Sequence, residues 1–294
     1  MTNKDLFIPH NFLGIPEKYT DLRKSGFVIL PIPYEGTSSY KSGTKEGPQA
    51  IINASRQVEF YDQELKIEPY RKGICTLNEL EPDVSSPEKM VEKIYKLAKE
   101  LVDKKRILIG LGGEHTISIG LVKAHKEKYK NLSVLQLDAH ADLRDTYQNS
   151  KYSHACVMKR INEFCDYVGV GIRSISNDET SFAGKEKIKI FSAKDIKDKP
   201  ELTDGVLDLL SENVYITFDL DFLDPSIIPA VGTPEPGGLL WYETLDFLKK
   251  VIENKNIVGL DVVELTPLPG IIAPDFLVAK LLYKIIGYIS STAN

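Results

Sequence analysis

Two short runs concentrate side chains that can do chemistry: Asp138-Ala139-His140-Ala141-Asp142 and Asp219-Leu220-Asp221. Each places metal-binding residue types at alternate positions. In an extended segment, positions i, i+2 and i+4 face the same way. Three such side chains are therefore expected to converge from the first run and two from the second. Both runs follow apolar stretches, 132–137 and 214–218. That puts them at the C-terminal ends of strands, the edge where open parallel sheets bind ligands. Buried carboxylates without compensation are very costly, so a divalent metal centre is the expected compensation. A third run, Gly112-Gly113-Glu114-His115, follows the apolar stretch 107–111. Its glycine pair permits a sharp turn that brings His115 to the same edge. Four carboxylates and two imidazoles are too many for one tetrahedral zinc. They suit two borderline-hard ions such as Mn²⁺, which together acidify a bound water into a strong nucleophile. The acidic surroundings favour a cationic electrophile over a phosphate.

These residues need a rigid frame. Strand candidates are 27–32, 73–77, 107–111, 132–137, 167–172, 188–192, 214–218 and 257–263. Helix candidates are 47–61, 87–102, 117–130, 203–211, 242–252 and 274–289. Their alternation predicts an α/β fold: a three-layer α/β/α arrangement around a mainly parallel sheet of about eight strands. With no linker, composition shift or repeat, the chain reads as a single domain over 1–294, with 1–25 as an N-terminal extension. Ser86 before Pro87 predicts a capped helix start. Residues 224–238, with four prolines and three glycines, predict a long ordered loop. Asp224 is expected in a turn there, and Trp241 to pack beneath the loop. His125, in a Lys-rich helix, is expected on a solvated face, and His10 in a polar tail.

The 294 residues carry 37 basic and 42 acidic side chains, a net charge of −5. This balance argues against nucleic acid or an anionic membrane as partner. Cys75, Cys156 and Cys165 are too few and unevenly spaced for a disulfide framework, so reduced thiols are expected. Residues 1–16 lack the apolar core of a signal peptide. No apolar run approaches the ~20 residues of a membrane span. A cytoplasmic location is the expectation.

The ordered motifs GGEHT (112–116), DAHADLR (138–144), SHACVMKRI (153–161), FDLDFLDP (218–225) and DVVELTP (261–267) resemble those of the ureohydrolase family of arginases, agmatinases and their relatives. The segment 33–51, PYEGTSSYKSGTKEGPQAI, resembles the bacterial and archaeal agmatinase branch. The resemblance runs from Phe27 to the C-terminus. It implies an arginase-like fold and two Mn²⁺ per subunit. His115 and Asp142 then match ligands of the first metal, and His140 and Asp221 ligands of the second. Asp138 and Asp219 match the bridging carboxylates. Asp142, His154 and Glu264 form the implied catalytic set: Asp142 orients the attacking hydroxide, His154 shuttles protons, and Glu264 pairs with the guanidinium. A planar guanidinium suits a carboxylate, and an amine leaves well only when protonated. The resemblance also implies a homo-oligomer, a trimer or hexamer.

Residues 146–153 do not reproduce the arginase loop that holds an α-amino acid. An amine-tailed substrate is therefore expected: agmatine, cleaved to putrescine and urea, or its aminopropyl derivative. Tyr147, Asn149 and Tyr152, beside Glu264 and His154, are the candidate substrate contacts. Other readings are hydrolysis of arginine or another guanidino acid, and formimino-group hydrolysis (formiminoglutamase) with Arg173 as the carboxylate anchor. A non-catalytic metal-binding homologue is disfavoured by retention of all six ligands with His154 and Glu264. Glu114 stands where many relatives carry aspartate, and Ala230-Val231 where Gly-Thr is more usual. Neither is a ligand position.

Overall fold

The computed structural model describes residues 8–292. Eight strands form one sheet, parallel throughout. They are β1 (Phe27–Ile32), β2 (Ile74–Thr76), β3 (Ile107–Gly112), β4 (Leu132–Leu137), β5 (Tyr167–Gly171), β6 (Lys189–Ser192), β7 (Asn213–Asp219) and β8 (Asn256–Val263). Their spatial order is β2-β1-β3-β8-β7-β4-β5-β6. β1, β4 and β5 are buried at every position, as strands covered on both faces must be.

Helices cover the two faces. One core lies beneath α1 (Gly47–Ser55), α6 (Ala193–Asp198), α7 (Leu202–Leu209), α8 (Trp241–Asn254) and α9 (Ala273–Thr292). The other lies beneath α2 (Pro87–Leu101), α3 (Ile117–Lys128), α4 (Val157–Asn162) and α5 (Asn177–Glu186). In α2, Met90, Val91, Ile94 and Ala98 make the buried stripe, and the Ser86 hydroxyl accepts the Lys89 N–H at 3.2 Å.

Some expected elements differ. The helix begun at Gly47 stops at Ser55 instead of 61, where the Ser55 hydroxyl turns back to the Ile52 carbonyl and accepts the Leu13 N–H. α4, α5 and α6 were not expected. α5 is short and mostly polar, with only Glu179 and Ala183 buried. His125 is fully buried rather than solvated. Its Nδ1 bonds the Leu121 carbonyl at 2.8 Å, its ring meets Tyr215, and it lies against Gly259, where any Cβ would collide with it.

The four central strands carry the chemistry. β3, β8, β7 and β4 are neighbours, and the chain passes from β3 to β4 across the other two. Such a reversal opens a crevice at the C-terminal edge.

Candidate metal centre and active site

Each of those four strands delivers ligands or carboxylates to the crevice. After β3 the chain turns sharply at Gly113. A Cβ there would sit 2.0 Å from the Tyr34 carbonyl oxygen, so only glycine lets the ends of β1 and β3 touch. His115 follows. After β4 come Asp138, His140 and Asp142, with Asp142 in the left-handed region at φ +51°. Asp219 ends β7. Asp221 sits in a 3-10 turn, Leu220–Phe222, that the Asp219 carboxylate caps by accepting the Asp221 N–H at 3.0 Å. The expected convergence therefore occurs, but strand alternation does not produce it. Turns and one left-handed residue bend both runs inward.

Backbone N–H groups fix the carboxylates. Asp138 Oδ1 accepts from His140 at 2.6 Å, and Asp221 Oδ1 from Ala139 at 2.9 Å. The Gln136 amide donates to Asp138 Oδ2 at 2.9 Å. Two ligand groups result: His115, Asp138 and Asp219, and Asp138, His140 and Asp221, the ligand atoms of each within 4.8 Å of one another. Asp138 belongs to both. Asp142 joins the first group through Oδ2, 3.1 Å from His115 Nδ1.

The protonation pattern of His115 tests whether these residues fit a cation. Its Nε2 lies 2.9 Å from the Thr217 hydroxyl. That hydroxyl sits 2.8 Å from Asp261 Oδ1, and the carboxylate takes its single proton. Nε2 is then an N–H, and in the neutral imidazole Nδ1 is left as a lone pair. Nδ1 is buried, has no hydrogen-bond partner, and faces oxygens of Asp142 (3.1 Å), Asp138 (3.3 Å) and Asp219 (3.5 Å). A lone pair aimed at three carboxylates is repulsive unless a cation lies between them. The donor set fits metal ions.

The electrostatics agree. Burial, followed by the charges of Asp221 and Asp142, pushes the Asp138 carboxyl up to about 7. Burial, Asp221 and Asp138 push Asp219 well above the carboxylate range. Burial opposes charge on His140, but Asp221, 2.8 Å from its Nδ1, outweighs this and takes it to about 10. Burial likewise opposes charge on His115, and Asp138 and Asp142 outweigh it: with no metal bound, the same carboxylates draw a proton to Nδ1 in the cation's place. Burial pushes Glu264 up to about 8, against the hydrogen bond from the His115 backbone.

A cavity of about 180 Å³ opens onto this centre. His115, His140, Asp142, Asp219, Asp221 and Glu264 reach its floor, and His154 and Tyr147 its wall. Asn149 and Tyr152 are not among its lining residues. Asn149 is exposed, at positive φ in a tight turn, and Tyr152 packs on the core beneath α2 to α5. Arg173 is not at the cavity either. Its guanidinium donates to the carbonyls of Gly171, Asp221, Leu223, Glu235 and Pro236, clamping the loop 224–238. The formimino reading thereby loses its carboxylate anchor. Asp224 occupies the expected turn, accepting from Ser226 and Gly237 N–H groups. Trp241 starts α8, half-buried against the core. His10 is exposed.

Sequence reasoning left several site residues without a role. Ser38, Ser39, Tyr40 and Lys41 line the cavity from the loop after β1, and Thr233 and Arg144 line it from elsewhere. Thr217 supports His115, and its signal was available: it stands two residues before Asp219 and so faces the same way. Asp261, a carboxylate inside an apolar strand, was the matching signal. It is fully buried and takes hydroxyl donors from Thr217 and from Tyr215 at 2.7 Å.

A family model described as the arginase family matches residues 25–287. The chain belongs to the arginase family. It is an arginase-family hydrolase. It is 36% identical to the N(1)-aminopropylagmatine ureohydrolase of Synechocystis sp., over 97% of this chain and 96% of the relative. It is 38% identical to the enzyme of the same name from Thermus thermophilus, over 92% of each. The solved agmatine ureohydrolase of Thermoplasma volcanium superposes with a TM-score of 0.87 at 30% identity, covering 97% of this chain and 96% of that one. The α/β fold with its eight-stranded parallel sheet is shared with that structure. No helix among the described residues is long and apolar enough to cross a membrane.

Proposed function

We propose that this chain hydrolyses the guanidinium group of an amine-tailed guanidine to urea and the free amine. N1-aminopropylagmatine is the favoured substrate and agmatine the next. Agmatine gives putrescine, and its aminopropyl derivative gives spermidine, so the activity belongs to polyamine biosynthesis. The observation that carries this reading is the pair of ligand groups sharing Asp138 on the floor of a cavity that also holds Glu264 and His154. The preference for the longer amine rests on the Synechocystis and Thermus relatives, which match along nearly their whole length.

His115, Asp142, Asp138 and Asp219 would hold one Mn²⁺, and His140, Asp221, Asp138 and Asp219 a second. When bound, the ions supply an activated water at neutral pH. Glu264 binds and orients the guanidinium. Its Oε1 already accepts the His115 N–H at 2.7 Å, so Oε2, toward Gly232, is the freer face. Asp142, held at a strained φ, orients the nucleophile. His154 protonates the departing amine at the cavity wall. The hydroxyls of Ser38, Ser39, Tyr40, Tyr147 and Thr233 offer acceptors to the tail amines. The chain acts in the cytoplasm as a trimer or hexamer.

Lys41 and Arg144 stand in the same wall and favour a second reading, a guanidino acid whose carboxylate they would attract. Urea release from Mn²⁺-loaded protein tests both, with aminopropylagmatine, agmatine, arginine and guanidinobutyrate compared by kcat/KM. Preference for the two amines is the expected result. A preference for guanidinobutyrate would replace it with the second reading.

A further inference from the structure

The loop after β1 reaches His154 through a buried carboxylate that the reaction itself does not use. Glu114 is fully buried beside the metal centre. Its Oε2 accepts the N–H groups of Gly36 at 2.9 Å and Thr37 at 2.7 Å. Its Oε1 accepts the Thr37 hydroxyl at 2.9 Å. The only proton of that hydroxyl is therefore spent on Glu114. The Thr37 oxygen presents lone pairs on its other side. There it accepts the backbone N–H of His154 at 3.0 Å and stands 3.2 Å from His154 Nδ1. An oxygen with no proton left to give holds Nδ1 only if Nδ1 carries one. Ser153 Oγ, 3.4 Å from the same nitrogen, can accept in the same sense. Nε2 is left as the unprotonated nitrogen, with Ser39 Oγ at 3.3 Å on the cavity side.

We propose that Glu114 and Thr37 are positioning residues. Together they hold His154 as its Nδ1–H tautomer and so make Nε2 the proton-exchanging atom. The inference rests on the reading that His154 protonates the leaving amine. As the water oxygen bonds the guanidinium carbon, Nε2 takes one of its protons; the other leaves the oxygen as the urea carbonyl forms and ends on the released amine. Nε2 returns the first proton to the amine nitrogen as the C–N bond breaks and its electron pair goes to nitrogen. The imidazole ends neutral, with Nδ1–H still on Thr37, and the cycle closes.

The test uses metal-loaded, full-length Thr37→Val, Thr37→Ser and His154→Asn variants, each with its metal content measured. Glu114 is left intact because it adjoins the ligand His115. Thr37→Val should lower kcat about tenfold, the worth of one orienting hydrogen bond, with KM and metal content little changed. Thr37→Ser, which keeps the hydroxyl, should restore kcat. The readout that packing damage would not move is the leaving group. With an agmatine analogue fluorinated beside the leaving nitrogen, the amine is less basic and needs less protonation. The Thr37→Val deficit should then shrink. A deficit equal for both substrates, or wild-type kcat in Thr37→Val while His154→Asn is inactive, overturns the positioning role. Wild-type kcat in His154→Asn overturns the reading of His154 itself.

Discussion

The carboxylate of Glu264 accepts the backbone N–H of His115 at 2.7 Å, across the ends of the adjacent strands β8 and β3. The bond joins the residue proposed to hold the guanidinium to a proposed metal ligand. Glu264 sits at φ +69° and Asp142 at φ +51°, two carboxylates in a backbone region that costs about 1–3 kcal/mol for a non-glycine residue. Both conformations are present without substrate or ion, so the proposed guanidinium-binding carboxylate and the proposed metal ligand are set in advance.

Glu264→Gln keeps an oxygen for the His115 N–H and removes only the charge. A hydrogen bond to a charged group contributes about 1.5–3 kcal/mol, so kcat/KM should fall by roughly 10- to 150-fold, chiefly through KM. Metal content should hold. Steady-state kinetics beside elemental analysis decide it, and unchanged kinetics would remove Glu264 from the site.

Stripping the metals leaves His115 Nδ1 and its three carboxylate neighbours uncompensated. A chelated sample should lose urea release and also stability, by about 4 kcal/mol per site where the ion was at a thousandfold excess over Kd. His140→Ala breaks only the second ligand group, so the metal content should drop by about one ion per chain with activity lost. Urea-denaturation midpoints with and without chelator give the stability difference. A chelated protein as active and stable as the loaded one would falsify the metal assignment.

Much of this architecture was legible in the sequence because it depends on local pattern. Buried parallel strands are apolar at every position, and the motifs sit at their ends. Residue alternation does not encode the convergence itself: Asp221 is placed by a turn and Asp142 by its own left-handed backbone. α5 has no apolar stripe to reveal it, although Ser176 and Glu179 form a capping box that would have marked its start. The contact between Thr37 and Glu114 spans 77 residues, and only the pairing of β1 with β3 brings them together. The cavity wall was therefore invisible where the ligands were not.

The helix α9 carries a buried charge with a structural part. Lys284 Nζ lies 3.0 Å from Asp62 and 2.7 Å from Glu64, and both Lys284 and Asp62 are buried. Lys284→Met strands the Asp62 carboxylate and should cost about 3–5 kcal/mol in urea unfolding. Adding Asp62→Asn, which keeps an oxygen for the Glu64 and Leu65 N–H groups, should recover part of that loss. A double-variant loss equal to the sum of the separate Lys284→Met and Asp62→Asn losses would show that the pair is not coupled.

His125 gives stability a pH dependence away from the metal centre. Burial pushes its imidazole down from 6.5 to about 4, against the bond to the Leu121 carbonyl. The folded pKa lies below the unfolded one, so the unfolded chain takes up the proton first. The stabilisation is complete above about 6.5 and is lost as pH falls through about 4. A displacement of this size corresponds to about 3 kcal/mol. His125→Leu removes the titration, while the carboxylates elsewhere titrate alike in both proteins. Wild type minus variant, measured by urea unfolding at pH 7 and at pH 4.5, should therefore shift toward the variant at the lower pH. A difference independent of pH would mean that the ring is hydrated in the folded chain, and its burial against Tyr215 and Gly259 would be incomplete in solution.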